Sequence, residues 1–285
     1  MRWGRAHAVV LVAGLALLPA LASPATAQAD TISSRPLFTY RDAVLASSFL
    51  LAARAVHPLD DYYARRLQDS STQANRKLQK LAFFVRTTAA PGSYIIGTTL
   101  YLTGRLSHNT KLADLGLHGT EALVVGEITA TALKGIVGRQ RPSIEPRNAN
   151  SYELFRGFHA TDEYRSFPSG HAVAAFAAAA AVTSEISRWA PDTRWIVGPV
   201  MYGGAALVGA SRMYNNRHWA SDVLVGAGIG TFAGLKVVRY QHSHPGNRLD
   251  RLLLSGSLVP DGTGGQRLHW SLLPDFRDRD DGRAR

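Results

Sequence analysis

No cysteine occurs among the 285 residues, which excludes disulfides, thiolate metal sites and cysteine nucleophiles. Methionine is scarce, at three residues, and the aromatic residues are scattered. The glycines form no phosphate-loop or dinucleotide fingerprint. There is no internal repeat and no basic run interleaved with aromatics, so nucleic acid is not an expected partner. Charge is sparse as well: 19% of residues are charged against 46% hydrophobic, the balance of a folded chain. Acid is the scarcer sign. Asp and Glu number 21 against 32 Lys and Arg, for a net charge of +11. Such an excess favours an anionic partner, either a phosphorylated small molecule or an anionic lipid surface.

Unambiguous membrane-length runs are also missing. Charge-free stretches at 87–104, 166–184 and 195–211 stand at or near the lower limit for a span. Other apolar stretches carry Asp114, His118, Glu121 and Glu127, which are costly in lipid. A soluble or peripheral protein is therefore favoured over an integral membrane one. The N-terminus places Arg2 and Arg5 before an apolar core at 8–22, interrupted by Pro19, and small residues follow at 25–29. That layout predicts a signal peptide over 1–29, cleaved after Ala27 or Ala29, and hence an exported, periplasmic or extracytoplasmic protein.

Helical periodicity fills most of the remainder, with helices expected over 41–57, 71–86, 92–106, 111–138, 170–189, 194–210 and 219–240. The expected fold class is all-α: a bundle of about six core helices forming a domain over 30–245. A long polar and aromatic loop at 141–167 interrupts it, in a size range that is often functional. A short C-terminal β-hairpin is expected within 252–273, where Pro-Asp-Gly and Gly-Gly separate two short runs and Leu268, Trp270 and Leu272 alternate. The hairpin and a solvated tail make up 246–285.

Three basic clusters carry the chemistry. In "KGIVGRQRP", Lys134 and Arg141 are two helical turns apart, a spacing that lets both point the same way, with Pro142 placing Arg141 at a helix end. By itself this pattern also suits a solvated helix end. In "SFPSGHA", a Pro-Ser-Gly turn opens an alanine-rich helix, whose free N–H groups and dipole suit an anion. Gly170 permits close approach, Ser169 offers a hydroxyl, and His171 faces the same anion. Ser169 as a plain N-cap explains the turn equally well. In "SRMYNNRHWASD", His218 and Asp222 are i and i+4, a spacing that lets the carboxylate accept one imidazole N–H and leaves the other nitrogen's lone pair free to attack. Arg212, just before them, can clamp oxygens with its fork of donors. Together the clusters suit transfer of a tetrahedral oxyanion to a nitrogen nucleophile.

The patterns K-x6-RP at 134–142, PSGH at 168–171 and SR-x5-H-x3-D at 211–222 resemble the three-part signature of the type 2 phosphatidic acid phosphatase and vanadium haloperoxidase superfamily, in residue identity, order and spacing. The resemblance implies a mainly helical, metal-independent phosphohydrolase of the phosphatase branch. Lys134, Arg141, Arg212, Ser169 and Gly170 would bind phosphate, His218 would form a phosphohistidine oriented by Asp222, and His171 would protonate the leaving alkoxide. The substrate would be a phosphomonoester, or a lipid phosphate or pyrophosphate at a membrane surface. No metal or other cofactor is implied, and vanadate is an expected inhibitor. Two alternatives are a vanadate-dependent haloperoxidase, with vanadate as its cofactor, and a non-catalytic anion-binding protein. By spacing alone, His118 with Glu121, or His242 with His244, resemble metal-ligand pairs, but the sequence supplies no third ligand.

Overall fold

The computed structural model describes residues 36–244 together with two strands at 256–260 and 266–270. The expected signal peptide, the turn of the C-terminal hairpin and the tail lie outside the described residues. The helices are α1 (Tyr40–Val56), α2 (Asp60–Leu67), α3 (Ser70–Gln73), α4 (Arg76–Thr87), α5 (Ser93–Leu106), α6 (Thr110–Val137), α7 (Arg156–His159), α8 (Gly170–Trp189), α9 (Arg194–Tyr214) and α10 (Ala220–Ser243). Strands β1 (Gly256–Pro260) and β2 (Gln266–Trp270) pair antiparallel, with Leu258 opposite Leu268. The described bundle is all-α.

Why α8 sits at the centre follows from its composition. Ala172 to Ala175, Phe176, Ala177 and Ala179 to Ala181 are buried on every side, as expected of a helix without a polar face. Alanine also allows close neighbours. A Cβ at Gly230 of α10 would stand 2.2 Å from the Val173 carbonyl oxygen, and one at Gly234 would stand 2.6 Å from that of Ala177. Backbone therefore packs on backbone between α8 and α10. α6 and α9 also pack on α8, α1 lies against α10, and α5 lies against α6.

Several boundaries differ from expectation for local reasons. The helix expected over 71–86 is split into α3 and α4, because the Asn75 side chain accepts from the N–H groups of Lys77 and Leu78 and starts a new helix. α6 ends at Val137 because Gly138 adopts a left-handed conformation, φ 54°, and its N–H caps the Lys134 carbonyl. α2 was not expected from periodicity; its eight residues are mostly charged or polar. The glycines of 92–104 and 198–210 serve packing only in part. Gly97, Gly104 and Gly209 sit tightly against neighbours, whereas Gly203 and Gly204 face open space.

Candidate active site

All three clusters meet at one end of the bundle, formed by the C-terminal ends of α6 and α9 and the N-terminal ends of α8 and α10. Lys134 is in the last turn of α6, and its Nζ lies 3.5 Å from Glu127 Oε1. A Cβ on Gly170 would approach that Nζ to 2.7 Å, so the ammonium rests directly over the start of α8. Ser169 is the N-cap of α8, its Oγ accepting from the Ala172 N–H at 3.5 Å. Both readings of Ser169 hold, since a hydroxyl that accepts a capping bond still has its own hydrogen to donate.

Arg141 does not share a helical face with Lys134, because Gly138 ends the helix between them. The spacing argument fails there, yet the two charges converge. Arg141 is held by the carbonyls of Asp162 at 2.7 Å and Arg217 at 2.8 Å, and by the Asp162 carboxylate at 2.8 Å. These contacts use three of its five N–H donors.

Arg212, in the last turn of α9, is different. Its side chain is 5% exposed, and among the described residues it has no hydrogen-bond or ion-pair partner; its Nε is buried without one. Burial first, then the like charges of Arg217, Arg141 and Arg86, push its pKa down to about 10. A buried guanidinium among other cations is a poor arrangement unless an anion joins it.

His218 corrects the expectation about Asp222. Its Nδ1 lies 2.7 Å from the Ser166 carbonyl oxygen, and the Asp222 carboxylate stands 4.0 Å away. A carbonyl only accepts, so Nδ1 carries the hydrogen and a neutral ring presents its lone pair at Nε2. Burial first, then Arg141, Arg212 and Lys134, hold the His218 pKa well below its usual value and keep the ring neutral. The i, i+4 argument assumed that both residues lie on one helix, but His218 precedes the cap residue Trp219 of α10. Asp222 instead turns back to its own helix start and the neighbouring loop. It accepts from the Trp219 N–H at 3.0 Å, the Ser166 hydroxyl at 2.5 Å and Arg139 Nη1 at 2.5 Å. It therefore fixes the segment whose carbonyl holds His218, rather than His218 itself.

Arg139 was not singled out by sequence. It is fully buried and also binds Asp60 at 2.8 Å and the Ser221 hydroxyl at 2.8 Å, joining α2, α10 and the 141–167 loop, whose Ala149 carbonyl it contacts. Arg86 of α4 was likewise unsuspected. Its charge acts on both Arg212 and His171. His171, in the first turn of α8, has its pKa pushed down to about 4, by burial first and then by Arg212, Lys134, Arg86 and Arg141. Beside this cluster, Tyr94, Val124, Glu127, Ile128, Thr131, Ala132 and Phe158 line an open apolar groove of about 490 Å³. Glu127 is common to the groove and the Lys134 ion pair.

A family model described as the PAP2 superfamily matches residues 117–244, the stretch that contains every one of these clusters. That stretch is similar to the domain of the PAP2 superfamily. Among curated proteins, the lipid A 1-phosphatase of Porphyromonas gingivalis is 40% identical over 89 residues, which are 30% of this chain and 19% of that protein. The match thus spans about a fifth of that relative's length. Among solved structures, the transmembrane PAP2 type phosphatidylglycerolphosphate phosphatase of Bacillus subtilis aligns with a TM-score of 0.55. The alignment is 21% identical and covers 72% of this chain and 97% of that one, a likeness of fold.

Proposed function

We propose that the protein is an exported, membrane-associated phosphatase that removes phosphate from a lipid phosphate or pyrophosphate without a metal, through a phosphohistidine at His218. The observation that carries the reading is Arg212, a buried cation whose side chain forms no ion pair or hydrogen bond among the described residues, in a cluster with Lys134 and Arg141. A phosphate group supplies the missing charge. Its oxygens would be held by the three cations, the Ser169 hydroxyl and the Gly170 amide. His218 Nε2 would then form a bond to phosphorus as the ester P–O bond breaks.

The leaving alkoxide needs a proton, and His171 is the nearby donor. Its depressed pKa would leave it neutral in the free enzyme, but the negative charge of a bound phosphate offsets the surrounding cations and raises it. Water then hydrolyses the P–N bond, and the phosphate leaves. Intact nucleophile and acid distinguish this reading from mere anion binding.

Two features favour a lipid substrate. The groove that begins at Glu127 is almost wholly apolar and open along the bundle. The outer faces of the helices also expose large apolar side chains, among them Phe83 and Phe84 on α4, Ile95 and Ile96 on α5, Ile128 on α6, and Ile196 and Val200 on α9. Large apolar side chains presented to solvent on several helices suit contact with acyl chains. The sequence favours a soluble or peripheral protein over an integral one, and these faces support the membrane-associated side of that reading. The relatives, one named for lipid A and one for phosphatidylglycerolphosphate, point the same way.

The test is phosphate release by the purified protein from phosphatidic acid, phosphatidylglycerolphosphate and lipid A, against p-nitrophenyl phosphate. Expected are preference for the lipids, resistance to chelator, inhibition by vanadate and recovery of the protein in the membrane fraction. Equal turnover of the soluble ester by protein in the soluble fraction would refute the lipid assignment. Bromide oxidation by peroxide, dependent on vanadate, would refute the phosphatase.

A further inference from the structure

At the other end of the same helices lies a second cluster that the phosphate chemistry does not use. His118 of α6, Glu185 of α8 and His242 of α10 each bring one ligand atom to within 4.8 Å of the others. His118 Nδ1 is 2.5 Å from Glu185 Oε1, and His242 Nε2 is 2.9 and 3.0 Å from the two Glu185 oxygens. His118 and Glu185 are buried, and His242 is partly exposed at the edge, which gives the cluster a route to solvent. By helix rise it lies roughly 24 Å from Lys134 along α6. The ligand pairs suggested by sequence spacing, His118 with Glu121 and His242 with His244, are not the ones formed. The third ligand comes from Glu185, 67 residues away from His118 in the chain.

A carboxylate shared by two imidazoles can also be a plain hydrogen-bonded knot. Three observations favour an ion instead. Two imidazoles and one carboxylate are the donor set of zinc sites that keep an open position. For bonds of about 2.1 Å, a tetrahedral ion needs ligand atoms about 3.4 Å apart, so the two Glu185 contacts must open by less than an ångström, with the two imidazole nitrogens, within 4.8 Å of each other, settling to about the same spacing. The Asp114 and Glu121 charges also act on His118 alongside Glu185.

We propose that His118, Glu185 and His242 bind a divalent cation of the zinc class, with water or a neighbouring carboxylate oxygen in the fourth position. The ion ties together α6, α8 and α10, the helices whose opposite ends carry Lys134, the Ser169–Gly170–His171 turn and Asp222. Its role is structural, and the inference rests on no assumption about the reaction. Metal removal therefore weakens the fold without entering the chemical step.

The test uses full-length protein stripped with chelator, dialysed and titrated with Zn²⁺ or Co²⁺. Expected are one tightly held metal per chain, a tetrahedral cobalt absorption spectrum and a Tm raised by about 5 °C or more relative to the stripped protein. His242→Ala, at the partly exposed position, and Glu185→Gln should abolish all three, while His244→Ala and His218→Ala retain them. Absence of stoichiometric metal, or metal binding unchanged in His242→Ala and Glu185→Gln, overturns the proposal. The phosphatase reading is scored separately, by turnover of the stripped protein at low temperature. That turnover should match the metal-loaded rate, and either result can fail without the other.

Discussion

Replacing Asp222 by Asn tests whether this residue acts on the nucleophile or on the scaffold that holds it. The carboxylate accepts three bonds, from Arg139 on one oxygen and from Ser166 and Trp219 on the other. An amide oxygen can replace only one side. Keeping the Ser166 and Trp219 contacts turns the amide nitrogen toward Arg139, which is fully buried and would retain only Asp60 as a charged partner. Breaking a buried charge pair in this way costs about 3 kcal/mol, which for a chain of this size lowers Tm by roughly 6–12 °C. Turnover should fall too, because the Ser166 carbonyl that holds His218 Nδ1–H loses its anchor. The assay is thermal unfolding beside phosphate release. Ser166→Ala is the companion: it removes one hydrogen bond to a charged group, about 2 kcal/mol, and keeps the backbone carbonyl in place, so its loss of kcat should be the smaller. If Asp222→Asn unfolds within about 2 °C of the wild type while turnover drops more than about 1,000-fold, the scaffold account is wrong and Asp222 acts on the imidazole itself.

Arg212→Met should leave stability unchanged or raise it by about 1 kcal/mol, since it removes a buried unpaired charge, while kcat/KM falls about 100- to 1,000-fold; calorimetry and initial rates separate the two effects. Gly170→Ala places a Cβ 2.7 Å from Lys134 Nζ, and the flexible ammonium must move aside. The fold should persist with kcat/KM reduced about tenfold, or roughly 1.4 kcal/mol of phosphate binding, as read from substrate titration. Stability should fall with acid. His171 titrates near 4 when folded and near 6.5 when unfolded, so between those values the unfolded chain binds the proton first and the folded state loses ground. Denaturant titrations at pH 7.5, 6 and 5 should show that decline, and it should be smaller in His171→Ala.

Much of the helical pattern was legible because α1, α6, α8 and α10 are apolar-rich and longer than strands, at 17, 28, 20 and 24 residues, and the start of α8 is marked by a cap residue and a proline turn. The site clusters were legible through residue type and order. Their internal geometry was not. Spacing rules assume a continuous helix, and Gly138 and Trp219 each end or begin one between the residues being paired. Arg139 sits inside the first motif, but nothing local distinguishes a buried cation from a solvated one; its partners Asp60 and Asp222 lie 79 and 83 residues away. Arg86 and Glu185 were missed for the same reason, since only tertiary packing brings them to their clusters. The outward apolar faces were hidden too, because helices mix buried small residues with exposed large ones, and the one described helix long and apolar enough to cross a membrane, α10, is mostly buried.

The most direct measurement is a single turnover, quenched in alkaline denaturant, with substrate labelled in its phosphate. The account predicts that label stays on the protein through an acid-labile bond at residue 218, and that His218→Ala neither carries label nor turns over. Label absent from the wild type under single-turnover conditions, or residue 218 replaced without loss of phosphate release, would contradict it.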